Sequence, residues 1–275
     1  MIENAIGIFD SGVGGLTVMR EIIHRLPNER LIYFGDTGRL PYGNKSPTTI
    51  ERYSLENGNF LLQKGIKALV VACNTSSALA LPALREKIGV PIIDVILPGV
   101  LEAVAQTKNK KIGILGTKAT IRSGAPQKMI RDLCPEAMLF PIACPLLVHL
   151  VEEQWIDHPT VPLIVREYIH PLREQEIDTL LLACTHYPFL RKAIQNQVGE
   201  KVTLIDPAKA CADQLALLLQ ANKLLSPELQ GEHEYYVSDD PDKFEALATY
   251  LFGSSAEGLQ AKLQILHSFE VMQPI

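Results

Sequence analysis

Basic clusters, long apolar runs and closely paired cysteines are all missing from this 275-residue chain, and each gap narrows what it can be. No stretch approaches the roughly 18 uninterrupted apolar residues of a membrane-spanning helix. The opening MIENAIGIFD has no basic n-region and runs straight into turn residues. Neither a signal peptide nor a membrane anchor is therefore expected, and the expected location is the cytoplasm. The formal net charge is −5, the pI is near 5.8, and no Lys/Arg run stands out. A partner held through its phosphate backbone is not expected, which excludes nucleic acid and leaves small molecules.

Cysteine is sparse too. The five thiols are odd in number and lack the Cys-x-x-Cys spacing of zinc and redox motifs, which argues against a disulfide scaffold and leaves reduced thiols available for chemistry. His24, His149, His158, His170, His233 and His267 are scattered without ligand-like spacing, so no metal is expected. Against these absences, 47% hydrophobic residues are ample for buried cores in one large or two medium domains.

Short β-branched runs at 5–9, 31–34, 68–72, 90–95, 111–115, 137–140, 178–183 and 202–206 alternate with amphipathic stretches at 15–25, 48–64, 76–87, 188–197 and 208–222. That order predicts an α/β fold with parallel sheets flanked by helices. A weak internal repeat organises it. AIGIFDSG near the start resembles KIGILGTK at 111–118, and VVACNTSSALALPAL at 70–84 resembles LLACTHYPFLRKAI at 181–194. Two pseudosymmetric domains with a site between them are expected. The first comprises 1–97 plus 208–275, since the tail from 208 is too short for a third domain, and the second comprises 98–207.

The repeat pairs Cys73-Asn74-Thr75 with Cys184-Thr185-His186, each closing an apolar strand and opening a helix. A thiol at a helix N-terminus feels the positive end of the macrodipole, which favours the thiolate. Two thiols at matching turns suit inversion of an α-carbon, where one face loses a proton and the opposite face receives one. Asp10 is placed to assist Cys73, and His186 to assist Cys184. Ser11, Asn74, Thr75 and Thr185 offer hydroxyls, an amide and helix-terminal N–H groups for carboxylates and an ammonium. Cys134, Cys144 and Cys211 have no such match and read as structural.

The loop Asp10-Ser11-Gly12-Val13-Gly14-Gly15 also admits a nucleotide-binding reading, with helix-terminal N–H groups for an anion and Asp36 as a ribose acid. The spacing opposes it, because the third fingerprint glycine falls at Thr17.

At IGIFDSGVGGLTV, IYFGDTGRLPYG, VVACNTSSALAL, IGILGTKAT and LLACTHYPFL the chain resembles the glutamate racemases of bacterial cell-wall synthesis, within the aspartate/glutamate racemase superfamily. The resemblance implies interconversion of L- and D-glutamate for peptidoglycan, no cofactor, no metal, and Cys73 and Cys184 as the catalytic pair. It also implies Asp10, Ser11, Tyr42, Gly43, Asn74, Thr75, Thr185 and His186 as substrate-holding residues. Thr117 and Thr120 are further contributors, with Asp36 and Glu152 as supporting acids. A homodimer is left open. Asp94 and Leu97 depart from the family pattern at the hinge, as does Pro126 on a helix of the second half; these touch packing, assembly or regulation more than the reaction. A racemase of aspartate or another acidic amino acid, a dinucleotide-binding oxidoreductase and a non-catalytic amino-acid-binding module are the alternatives.

Overall fold

A strand buried on both faces needs apolar residues at nearly every position, and the runs of highest apolar density become the central strands of two parallel sheets. The computed structural model describes residues 5–228, 232–256 and 258–266; His267 and the end of LQILHSF lie outside them. In chain order the strands are β1 (Ala5–Asp10), β2 (Arg30–Gly35), β3 (Ile66–Val71), β4 (Ile92–Asp94), β5 (Lys111–Gly116), β6 (Met138–Ala143), β7 (Thr179–Ala183), β8 (Thr203–Ile205), β9 (Glu234–Val237) and β10 (Ala261–Leu263). One sheet runs β10-β9-β2-β1-β3-β4 and the other β6-β5-β7-β8, with every pairing parallel. The orders β2-β1-β3-β4 and β6-β5-β7-β8 are the internal repeat of the sequence expressed as hydrogen bonding. The tail strands β9 and β10 extend the first sheet beyond β2.

The α-helices are α1 (Leu16–Arg25), α2 (Pro47–Gln63), α3 (Asn74–Lys87), α4 (Ile96–Gln106), α5 (Lys118–Ser123), α6 (Ala125–Leu133), α7 (Leu146–Glu152), α8 (Val161–Ile169), α9 (Arg191–Val198), α10 (Pro207–Ala221) and α11 (Pro241–Phe252). Alternation along the strands divides the first sheet's side chains between two helical layers. Ile6, Ile8, Ala68 and Val70 pack toward α1, α10 and α11, whereas Phe9, Leu69 and Val71 join the core under α2 and α3. In the second sheet Leu180 and Leu182 face α7, α8 and α9, and Leu181 and Ala183 face α4 and α6. Among the described residues no helix is long and apolar enough to cross a membrane.

Local chemistry sets the helix starts. Ser46 accepts from Thr49 N–H ahead of Pro47, and Thr117 accepts from Thr120 N–H at 3.1 Å. Asp94 accepts from the N–H groups of Ile96 (2.8 Å) and Leu97 (3.1 Å) and so holds the first turn of the helix that carries the chain into the second sheet. Leu97 is exposed there, and Pro126 is buried at the start of α6. Two expected elements differ in form. The stretch at 188–197 divides into a 3-10 turn, Tyr187–Leu190, followed by α9. The strand foreseen at 137–140 continues to Ala143 through Pro141, at a sheet edge where a missing N–H is tolerated.

Candidate active site

The parallel registers place Val71 opposite Phe9 and Ala183 opposite Gly116, so Cys73 and Cys184 each leave a sheet just beyond the carboxyl end of a central strand. That end of an open α/β sheet is where ligands bind. Both thiols line one narrow cavity of about 20 Å³ between the two sheets. Its wall also contains Ser11, Tyr42, Gly43, Asn74, Thr75, Thr117, Thr185 and His186, together with Leu40, Pro41 and Val148.

Two glycines permit this closeness. A methyl on Gly14 would stand 2.4 Å from Thr185 Oγ1 and 2.7 Å from His186 Nδ1, and one on Gly43 would stand 2.5 Å from Thr117 Cβ. Both clashes lie across the boundary between the sheets, so backbone approach here is what closes the cavity.

The surroundings of the two thiols differ. Cys73 stands at the start of α3, 3.8 Å from Ser11 Oγ. Burial, reinforced by the charge of Asp10, pushes its thiol up to about 12, and donors on Ser76 and Ser11 offset only part of that. The expected helix-terminal activation is overturned here on magnitude, since a helix terminus contributes about 0.3–1 kcal/mol while full burial can move a group by roughly 3–5 pKa units. At Cys184 the following element is the 3-10 turn rather than a long helix. His186 neighbours Cys184 and bonds through Nε2 to Glu152 Oε1 at 2.6 Å. Burial disfavours the imidazolium, yet these two partners outweigh it and hold His186 well above the usual histidine range.

Asp10 lies behind the wall rather than in it. Its Oδ2 accepts from Gly12 N–H and Gly15 N–H, each at 3.1 Å, and Thr185 Oγ1 donates to its Oδ1 at 3.5 Å. Burial raises its carboxyl above the ordinary value despite the opposing charge of His186. Asp10 itself thus takes two of the glycine-loop amides, which counts against the anion-cradle reading of that loop. Asp36 is equally engaged, accepting from Tyr42, Arg39 and Ser238, so it is not free for a ribose. Thr120 also stands behind the wall, joined with Thr75 and Thr117 in a cluster of hydroxyls 2.9–3.3 Å apart that spans the two sheets.

Among the described residues Asn74 Oδ1, in the wall, is buried without a hydrogen-bond partner, an arrangement that costs about 1–3 kcal/mol unless a ligand donor fills it. A substrate ammonium is such a donor. Among the described residues no group of three or more His, Cys, Asp or Glu is arranged to hold a metal ion.

Residues 6–215 match the model of a family described as Asp/Glu/Hydantoin racemase. The chain belongs to that family. It is 49% identical over 262 residues to the glutamate racemase of Geobacter metallireducens, covering 94% of this chain and 97% of the relative. It is 45% identical over 256 residues to that of Syntrophus aciditrophicus, covering 93% and 95%. Among solved structures, glutamate racemase isoform RacE1 from Bacillus anthracis superposes with a TM-score of 0.90 at 38% identity, covering 97% of this chain and 98% of the other. The Francisella tularensis glutamate racemase, solved in complex with D-glutamate, gives 0.88 at 36% identity with the same coverage.

Sequence reasoning did not single out Val148, although it lies one helical turn before Glu152 in LLVHLVEE and so shares its face of α7. Arg39, Glu56 and Asn57 were also missed. Arg39 binds Asp36 and Asn57 binds Tyr42 from behind, Glu56 pairs with Arg39, and nothing in their spacing along the chain advertises that.

Proposed function

We propose that this member of the racemase family interconverts L- and D-glutamate without a cofactor, using Cys73 and Cys184 as paired acid and base. The observation that carries the reading is the presence of both thiols, from equivalent strand ends of a pseudosymmetric fold, in the wall of one cavity. One sulfur enters as thiolate and takes the α-proton, leaving a carbanion conjugated with the carboxylate. The other enters as thiol and returns a proton to the opposite face. The product has inverted configuration, and the two sulfurs have exchanged protonation states.

A Cys73 thiol held at about 12 is protonated near neutral pH, which suits it to the acid role in the resting protein. The protonated His186, braced by Glu152, supports Cys184 as its proton partner. Asn74 Oδ1 receives the ammonium, while Ser11, Thr75, Thr117 and Thr185 and the Tyr42–Gly43 segment serve the carboxylates. Asp10, Asp36, Thr120 and Glu152 act from behind them. We read 1–97 plus 208–275 as one domain and 98–207 as the other, with D-glutamate supplied to peptidoglycan in the cytoplasm. Neither nucleic acid nor a membrane is a partner in this reading. A homodimer is compatible with it, and sedimentation velocity decides that point.

The test is proton NMR of purified, reduced protein with L-glutamate in deuterium oxide and no added cofactor, alongside chiral analysis of the product. Loss of the α-proton signal together with D-glutamate formation is expected. A folded protein that exchanges neither glutamate enantiomer would refute the assignment, and aspartate in a parallel tube separates the nearest alternative substrate.

A further inference from the structure

Behind the cavity wall, the segment from Asp36 to Lys45 is tied to α2 through one side chain. Arg39 is four-fifths buried, with 21% of its side chain exposed. Its Nε donates to both oxygens of Asp36, at 2.9 and 2.7 Å, one Nη donates to Glu56, and the other to Asn57 Oδ1 at 3.0 Å. The guanidinium also stacks 4.0 Å over the ring of Tyr53. Asp36 and Glu56 are both nearly inaccessible. Among the described residues, Arg39 is the sole ion-pair partner of Asp36, and Arg52, at 3.9 Å, is the other partner of Glu56. Asp36 then accepts from the Tyr42 hydroxyl, which in turn accepts from Asn57 Nδ2 at 3.0 Å. On the far side Ser238 Oγ donates to Asp36 at 2.7 Å and accepts from Gly38 N–H at 2.9 Å.

We propose that Arg39 is a positioning residue for substrate binding, joining the buried carboxylates of Asp36 and Glu56 and thereby setting where Tyr42 and Gly43 stand in the cavity wall. The proposal rests on the racemase reading of that cavity. The geometry requires arginine, because a planar fork satisfies three partners on two elements at once whereas an ammonium is a single point charge. The Tyr42 hydroxyl is consumed by this network, so the segment meets a ligand through its backbone and ring, whose placement depends on the clamp. Neither thiol is carried by this segment: Cys73 opens α3 and Cys184 follows β7. Loss of the clamp therefore weakens binding more than chemistry.

The experiment compares wild type, Arg39→Gln, Asp36→Asn and the charge-balanced pair R39Q/D36N, with circular dichroism to establish folding. Arg39→Gln leaves the buried Asp36 carboxylate without its cation and Glu56 with only Arg52, and is expected to raise KM for glutamate by about tenfold or more while kcat stays within roughly threefold, the signature of lost uniform binding. The charge-balanced pair is expected to bring KM back to within about threefold of Asp36→Asn alone, because the unpaired buried charge is gone. Should Arg39→Gln fail to fold, Arg39→Lys keeps the charge without the fork and is expected to give the same KM-selective change at roughly threefold. A folded Arg39→Gln with wild-type KM, a loss confined to kcat, or no recovery in the pair would overturn the proposal.

Hydrogen–deuterium exchange of the 36–45 segment supplies a readout that does not depend on the reaction. Arg39→Gln is expected to speed exchange there by about tenfold or more, and unchanged protection would overturn the clamp. Wild-type inactivity on glutamate would instead count against the reaction assigned above, with the exchange result still deciding the clamp.

Discussion

The protonation state of Cys73 can be worked out and measured. With the thiol at about 12, the thiolate fraction near pH 8 is about one molecule in ten thousand, whereas an ordinary cysteine at about 8.5 would be roughly one quarter ionised. Near pH 10 the fraction is still only about one in a hundred. The assay is an ultraviolet titration of thiolate absorbance, taken as the difference between wild type and Cys73→Ala so that the other four thiols cancel. Almost no difference signal is expected up to about pH 10. The causes, burial first and the negative charge of Asp10 second, make a further demand on the same experiment. Asp10→Asn removes the second cause, so its titration must begin at lower pH than that of the wild type. A difference signal fully developed near pH 9, or one that Asp10→Asn leaves unmoved, would refute the account of how this site sets its resting state.

Four further outcomes are expected. Cys73→Ala and Cys184→Ala should each abolish racemisation while leaving the circular dichroism spectrum unchanged; full activity in either variant would remove that sulfur from the mechanism. Gly43→Ala places a methyl against Thr117 across the cavity, and with overpacking worth roughly 1–3 kcal/mol it should raise KM by about fivefold to about a hundredfold, read in steady-state kinetics. Asp10→Asn should stabilise the protein at neutral pH even as activity falls. A carboxyl raised by burial favours folding only when protonated and loses that advantage as pH rises from about 3.9 through its folded value, so the gain in Tm should vanish at acid pH. Glu152→Gln should lower the pH at which His186 titrates, measured by NMR of the labelled imidazole, because it removes a charge that holds the ring protonated.

What the chain reveals as a string follows from how local each cause is. Strand runs such as ALVVA and KIGIL are legible because a doubly buried parallel strand must be apolar throughout, and the repeated Ala-Cys turns because both halves use them alike. The placing of Cys73 and Cys184 on one cavity could be inferred from that symmetry before any distance was known. Burial is less legible. Cys73 reads as a thiol at a helix N-terminus, but the desolvation that dominates it comes from burial, with Tyr42 and Ile50 packed around it. The glycine loop reads as an anion cradle until Asp10 is seen to take two of its amides. Arg39, Glu56 and Asn57 are separated by up to 18 residues and meet only because α2 packs behind the 36–45 segment. No periodicity or spacing marks such a contact.

Symmetry brings the two sulfurs together, but a symmetric site would be a poor racemase in its resting state. If both thiols had the same surroundings, both would tend toward the same protonation state, and a site with two thiols or two thiolates lacks either the base or the acid. The fold resolves this by keeping the backbone repeat and breaking the chemistry around it. At the end of β1 stands Asp10, negative when ionised and close to Cys73; at the corresponding end of β5 stands Gly116, without charge. After β7 comes His186 with Glu152 behind it, whereas the matching position two residues after Cys73 is Thr75, bonded to other hydroxyls. A carboxylate beside one sulfur favours the thiol, and an imidazolium beside the other offers a proton partner of opposite charge. Exchanging only these neighbours, while leaving Cys73 and Cys184 in place, should therefore impair the resting distribution of protons without disturbing the backbone symmetry that brings the two sulfurs to one cavity.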